Sequence, residues 1–495
     1  MRCRGLSLVL LLALGCSQPP PCPVEPTASQ TVPVVAAATE PPPATPTAPT
    51  TIAAPTKLDP AAIDAWLAAE LRARGVVGAQ LAIHVDGQPL LVRSYGHARL
   101  GGDPVVDDTA FAIGSITKQF ICAAAWMLQE QRKLSLEDRV AKWYPDLTHA
   151  KDITLDDLGS HLSGYPDFYP LDFVERRMQA TIEPDQLIQT YAAGPLDFEP
   201  RTRWSYSNTG YIILGRVIER VSKEPLGTWL ERQIFAPLEM HHSSFDPPRD
   251  AAGLAQGHTS FALGEPEPAR PEGAGWIHAA GGIYASASDL MRWNLAVARE
   301  QLLAPKSWRR ITSSRTLADG RATDYGCGLA VRRQSGETVL SHSGAISGFV
   351  AYNAVVPRTR SAVVLLANTE GASVGDLHQT LLGLLLMPPA SVPSVAGPPA
   401  AEVARSLFEQ LQAGQLDRTL LSEELSLYYD DARVQAAAAR LAALGTPRSV
   451  TADRPRERGG MEVSTITFTF ADFAVRALLY RSPDGKVQEF LLTRS

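Results

Sequence analysis

Apolar residues at Ile63, Trp66, Leu67 and Leu71 follow Asp59-Pro60, a spacing that predicts an amphipathic helix with an acidic cap and a first-turn proline. Two strand-like runs, 79–85 and 90–95, flank Asp86-Gly87, a strong hairpin signal. A long apolar run behind residue 115 predicts a helix to about residue 133, and Ser135-Leu136-Glu137-Asp138 reads as a capping box. The middle of the chain is helix-rich and broken by turns; Gly281-Gly282-Ile283 then leads into a helical run over about 287–300. Strand patterns return at 325–332, 338–341, 349–356 and 361–368, and a helix over about 373–386 follows. This order predicts an α/β fold in the α+β sense: an antiparallel sheet flanked by helices, plus a mostly helical lobe.

The pattern changes at three places. Residues 1–16 carry Arg2 and Arg4, a short apolar stretch and then Gly15-Cys16, the layout of an export signal rather than a membrane span. Ala13-Leu14-Gly15-Cys16 resembles a bacterial lipobox, with alanine where leucine is more usual. The resemblance implies lipidation at Cys16 and a protein anchored to a membrane of the bacterial envelope; an ordinary secreted protein is the alternative. Residues 17–56 are mostly Pro, Thr, Ala and Val, which favours an extended tether reaching on the order of 100 Å. Residues 57–388 form the first globular block, and 389–399 are a second proline-rich linker. Residues 400–495 predict a small α+β accessory domain, with helices near 403–411 and 432–444, alternation at 465–470 and a hairpin turn at Asp484-Gly485. It faintly resembles NTF2-like or cystatin-like modules and has no catalytic cluster.

Composition excludes some functions. The chain of 495 residues is 45% apolar and 20% charged, ordinary globular usage, and its formal charge of −6 gives no basic footprint for nucleic acid. Beyond the N-terminus no run is long and apolar enough to predict a transmembrane helix. Cys3 and Cys22 fall outside the globular blocks. Cys122 and Cys327 fall in apolar segments and read as two buried free thiols, with a disulfide after export as the alternative. His241, His242, His258 and His278 have irregular spacing, and no metal or cofactor is expected. Asp156-Asp157 reads as solvated charge in an early helical turn.

The candidate chemistry starts at Ser115-Ile116-Thr117-Lys118. On a helix, positions i and i+3 share a face about 5–6 Å apart at Cβ, so the lysine amine sits beside the serine hydroxyl. A helix start there leaves N–H groups and a positive dipole end near Ser115. No other lysine in the chain has a serine three residues before it. Tyr206-Ser207-Asn208 places a phenol and an amide two apart, and His342-Ser343-Gly344 brings a glycine that lets backbone approach a substrate. Asn208 is the only asparagine preceded at two positions by serine or tyrosine, and His342 the only histidine followed by x-Gly.

Ser-x-x-Lys, Tyr-x-Asn and His-x-Gly in this order resemble the serine β-lactamase and penicillin-binding-protein superfamily over about residues 59–386, closest to class C-type β-lactamases, D-alanyl-D-alanine carboxypeptidases and related esterases. Longer blocks support it at 111–118, 204–211 and 280–284. The resemblance implies a nucleophile at Ser115, base and proton-relay work shared by Lys118 and Tyr206, orientation by Asn208, and an oxyanion hole from the N–H groups of Ser115 and Ala345 beside Gly344. His342 replaces the lysine of many β-lactamases; an imidazole only partly cationic at neutral pH holds a substrate carboxylate less firmly. The chain departs from the family pattern at Arg201, where glycine is usual, and at Gly159 and Leu162 within 158–164. The reading is an exported serine hydrolase that forms an acyl-enzyme and cleaves an amide or ester in a small-molecule or peptide substrate. A β-lactamase proper, or a catalytically silent peptidoglycan- or peptide-binding lipoprotein, is the alternative. The oligomeric state is left open.

Overall fold

A computed structural model describes residues 52–494 apart from 57, 172, 261, 263, 387–391 and 454. The signal-like segment, Cys16 and most of the first linker therefore lie outside the described residues, as does part of the second linker. Among the described residues, no helix is long and apolar enough to cross a membrane.

The first helix, α1 (Pro60–Ala73), begins where the sequence pattern places it: the Asp59 carboxylate accepts from Ala61 N at 3.0 Å, and Pro60 opens the first turn. Strands β1 (Gly78–Val85) and β2 (Gln88–Gly96) are joined through Asp86 and Gly87, both with positive φ, the signature of a tight hairpin. They are completed by β3 (Ala330–Gln334), β4 (Glu337–Ile346), β5 (Phe349–Val356) and β6 (Ser361–Ala367), giving one antiparallel six-stranded sheet in the order β2-β1-β6-β5-β4-β3. Every residue of β6 is buried, because helices cover both faces of the sheet.

On one face, Leu81, Ile83, Val363 and Leu365 pack with Ile63 and Leu67 of α1 and with Leu381 of the helix Gly375–Leu385. Ala82, Val364 and Leu366 point the other way, into a larger core with Phe120 and Trp293 that continues into the helical lobe around Leu187, Ile213 and Trp229. Through this second core runs α2 (Thr117–Glu130), apolar nearly all round as a central helix must be. It is entered by a 3₁₀ turn over Gly114–Ile116. Residues 400–494 have a core of their own. The helices Ala400–Ala413 and Asp431–Leu441 cover a five-stranded antiparallel sheet, and the Phe408 and Phe468 rings lie 4.7 Å apart between them.

Four expectations need correction. Cys122 and Cys327 are disulfide-bonded rather than free, a pairing hidden by 205 residues of separation. Ser135 caps no helix: its N–H donates to Asp138 and its hydroxyl accepts from Glu137 N, closing a turn before a short 3₁₀ segment at Val140–Lys142. Asp157 is 5% exposed, not solvated. It forms a true capping box with Thr154 and pairs with Arg201, while Asp156 pairs with the buried Arg315. The strand expected from residue 325 begins only at Ala330, because 325–328 is pinned against α2: a methyl group on Gly328 would lie 2.5 Å from the Lys118 carbonyl.

Candidate active site

Sheet geometry builds the oxyanion side of the site. The pairing of β3 with β4 extends from Gln334 opposite Glu337 to Ala330 opposite Ser341, so residues 342–346 of β4 run past its end. The 3₁₀ turn at Gly114–Ile116 sits against that stretch. A methyl group on Gly344 would lie 2.0 Å from the Ile113 carbonyl and 3.2 Å from Ser115 N, and one on Gly114 would lie 2.9 Å from Ala345 N. Two glycines thus let the backbones of Ser115 and Ala345 meet, placing two amides side by side at the rim of the cleft.

Ser115 lies in the 3₁₀ turn and Lys118 in the first turn of α2, where the three-residue spacing brings Lys118 Nζ within 3.0 Å of Ser115 Oγ. The amine is fully buried and also contacts Asn208 Oδ1 at 2.8 Å and the Ala280 carbonyl at 2.6 Å. Burial lowers its pKa to about 7, against a smaller opposing pull from the Asp167 carboxylate. A neutral amine has two N–H donors and one lone pair. Donation to Asn208 Oδ1 and Ala280 O leaves the lone pair aimed at the serine proton.

Tyr206 approaches Ser115 from the other side, its hydroxyl 2.6 Å from Oγ. Burial pushes this phenol well above its ordinary range, so it stays protonated and donates. Tyr206 and Asn208 arrive together because they flank the start of the helix α3 (Asn208–Ser222).

The segment 161–167 holds that helix start. His161 Nδ1 accepts from Ser207 N at 3.1 Å, and the Asp167 carboxylate accepts from Asn208 N and Nδ2, both at 3.1 Å. Asp167 therefore orients the amide that in turn orients Lys118. Sequence reading missed Asp167, and no spacing signal singles it out. His161 lay within the 158–164 block but was not singled out. Its ring is 4.4 Å from that of Tyr206, and its pKa falls well below the ordinary value, first through burial and then through the Lys118 charge.

His342 corrects the expectation of partial charge. Burial, then the nearby Lys118 charge, lower its pKa to about 4, so it is neutral at neutral pH. With Nδ1 donating to the Ser343 carbonyl at 2.5 Å, Nε2 is left to accept from the Tyr325 hydroxyl at 2.9 Å. Both nitrogens are engaged, and neither presents a cation to the cleft.

The cleft measures about 670 Å³ and is bounded by Ser115, Tyr206, Asn208, His342 and Ala345 at one end. Phe168, Tyr169, Phe173, Ile277 and Phe349 supply an apolar wall, and no lysine or arginine is among its described lining residues.

A model of the Beta-lactamase family matches residues 63–385. The chain belongs to the beta-lactamase family. It is a serine hydrolase of the β-lactamase fold. Penicillin-binding protein 4 of Amycolatopsis lactamdurans is 30% identical over 361 residues, covering 66% of this chain and 89% of that protein. A D-aminopeptidase of Brucella canis is 26% identical over 318 residues, covering 63% of this chain and 60% of that protein. Among solved structures, the D-amino acid amidase of Ochrobactrum anthropi SV3 shares the fold, with a TM-score of 0.57 and 23% identity over 65% of this chain and 98% of that one. Within this beta-lactamase family frame, two departures have local causes. Arg201 adopts the positive φ, 67°, that glycine would take without strain, and its guanidinium reaches Asp157. Gly159 leaves the space that the disulfide fills, since a methyl group there would lie 2.6 Å from Cys327 Sγ.

Proposed function

We propose that this beta-lactamase-family protein hydrolyses amides or esters with a bulky apolar acyl group through an acyl-enzyme on Ser115. The observation that carries this reading is the buried Lys118 amine, 3.0 Å from Ser115 Oγ with its pKa lowered to about 7. In acylation, Ser115 Oγ bonds to the substrate carbonyl carbon and its proton passes to Lys118 Nζ. The developing oxyanion is held by the N–H groups of Ser115 and Ala345. Tyr206 then donates its proton to the leaving nitrogen or oxygen as that bond breaks, and the proton that Lys118 took from the serine restores the phenol by way of water in the cleft. Water attacks the acyl group in the second half-reaction, returning the serine.

Substrate preference follows from charge. With His342 neutral and no lysine or arginine in the described lining, which also includes Glu370, that lining offers a substrate carboxylate no cationic partner, and this sets β-lactams and C-terminal D-alanyl peptides below neutral amides and esters. The D-aminopeptidase and D-amino acid amidase relatives support an amide substrate. A silent binding protein would have no use for an activated serine.

Incubation with p-nitrophenyl butyrate, D-phenylalanine amide and a fluorescent penicillin, followed by peptide mass mapping, tests this. The expected result is turnover of the first two exceeding that of the penicillin, with a trapped acyl group on the peptide holding Ser115. An adduct elsewhere, or no reaction with any of the three, overturns the reading.

We also propose export and lipid anchoring at Cys16. The charged and apolar N-terminal pattern supports it, and a buried disulfide is typical of oxidising compartments. Palmitate labelling in the bacterial host should be lost in Cys16→Ser; labelling that persists counts against the anchor.

A further inference from the structure

The disulfide lies behind the catalytic residues. Cys122 is one helical turn beyond Lys118 on α2, and both sulfurs are fully buried. Cys327 belongs to Tyr325-Gly326-Cys327-Gly328, a segment whose backbone lies against neighbouring backbone on both sides. A methyl group on Gly326 would be 2.1 Å from the Ile311 carbonyl, and one on Gly328 would be 2.5 Å from that of Lys118. Two residues before the disulfide, the Tyr325 hydroxyl bonds His342 Nε2 at 2.9 Å. The Tyr325 ring also sits 5.0 Å from that of His161, which lies against Tyr206. Gly159 completes the seat. It leaves room for Cys327 Sγ, its carbonyl accepts from Gly328 N at 3.3 Å and from the Tyr211 hydroxyl at 2.5 Å, and that hydroxyl is 3.4 Å from Cys122 Sγ.

We propose that the Cys122–Cys327 disulfide is a positioning clamp: it fastens the segment carrying Tyr325 to the helix carrying Lys118, so that the Tyr325 hydroxyl holds the His342 ring at the correct edge of the cleft. A single covalent link thereby fixes the distance between the lysine end and the histidine end of the site. Gly159 is the complementary half of the clamp, since any side chain there would displace the sulfur. Tyr325 is a positioning residue acting through His342. The inference rests on the proposed acyl-enzyme chemistry.

The test compares wild type, Cys122→Ala/Cys327→Ala, Tyr325→Phe and the triple variant in kcat/KM for p-nitrophenyl butyrate, each at 20 °C below its own Tm. The double and the single variant are each expected to lose about tenfold. The triple variant should lose no more than the worse of them, because both act on one placement. A purely structural disulfide lowers Tm but leaves kcat/KM unchanged, and that result overturns the clamp; so do losses that multiply. Should the cysteine variant not fold, Gly159→Ala presses on the intact disulfide. It should lower kcat/KM non-additively with Tyr325→Phe, and an unaltered kcat/KM there sinks the proposal equally. Wild type that forms no Ser115 adduct would instead indict the acyl-enzyme reading, which separates the two failures.

Discussion

Ser115→Ala is expected to lower kcat for p-nitrophenyl butyrate by about 10⁶-fold, the loss typical of a nucleophile whose partners act as a unit with it. The reason is local. Ser115 Oγ is the meeting point of the Lys118 amine at 3.0 Å and the Tyr206 hydroxyl at 2.6 Å, so without it neither has a reacting atom to serve. Folding should be untouched, because Lys118 keeps Asn208 and Ala280 as partners. A Tm equal to or above that of wild type, with no acyl adduct by mass spectrometry, is the expected companion result. Turnover within tenfold of wild type would remove Ser115 from the mechanism.

What the sequence could disclose about this site depended on how far apart its parts lie. Ser115 and Lys118 share one helical turn, so a fixed spacing carries their geometry. Tyr206 and Asn208 share a helix start, and the glycine of His342-Ser343-Gly344 marks a close backbone approach. The strand pattern at 349–356 and 361–368 was legible because these strands are central to the sheet: the second is buried along its whole observed length and reads as an apolar run, and the first alternates buried and half-buried positions at its start. The supports of the site left no such trace. Asp167 reaches Asn208 across 41 residues of chain, and Tyr325 reaches His342 from a segment whose backbone packs against that of Lys118 on α2. Cys122 and Cys327 look like ordinary apolar positions until their helix and loop are packed together. Asp157 looked solvated because two adjacent carboxylates usually are, whereas here Arg201 and Arg315 arrive from distant segments to pair with them. The charge state of His342 is likewise a property of packing, since its own sequence neighbourhood is polar, the Tyr206 and Tyr325 rings lie against it, and the Lys118 charge adds repulsion from a distant segment.

Lys118→Met is expected to cost about 10³-fold in kcat/KM, within the range of a lost general base, and the wild-type pH profile should identify the group. With the folded pKa near 7, the amine is protonated below that pH and unable to accept the serine proton, so kcat/KM should rise through a single inflection at about 7 and then level. Tyr206 adds no falling limb below pH 10, because burial raises its pKa, and His342 is already neutral above about 4. The same shift has a consequence for stability. Between pH 7 and 10.5 the unfolded chain holds a proton on Lys118 that the folded chain does not, so folding becomes more favourable as pH rises across that window. The methionine variant lacks this dependence and leaves Asn208 Oδ1 and Ala280 O without their donor, yet the comparison turns on slope rather than level. Wild-type Tm should therefore gain on that of Lys118→Met as pH climbs from 7 to 10. Parallel curves would mean that Lys118 keeps its charge in the folded protein, and the base would then have to be sought at Tyr206.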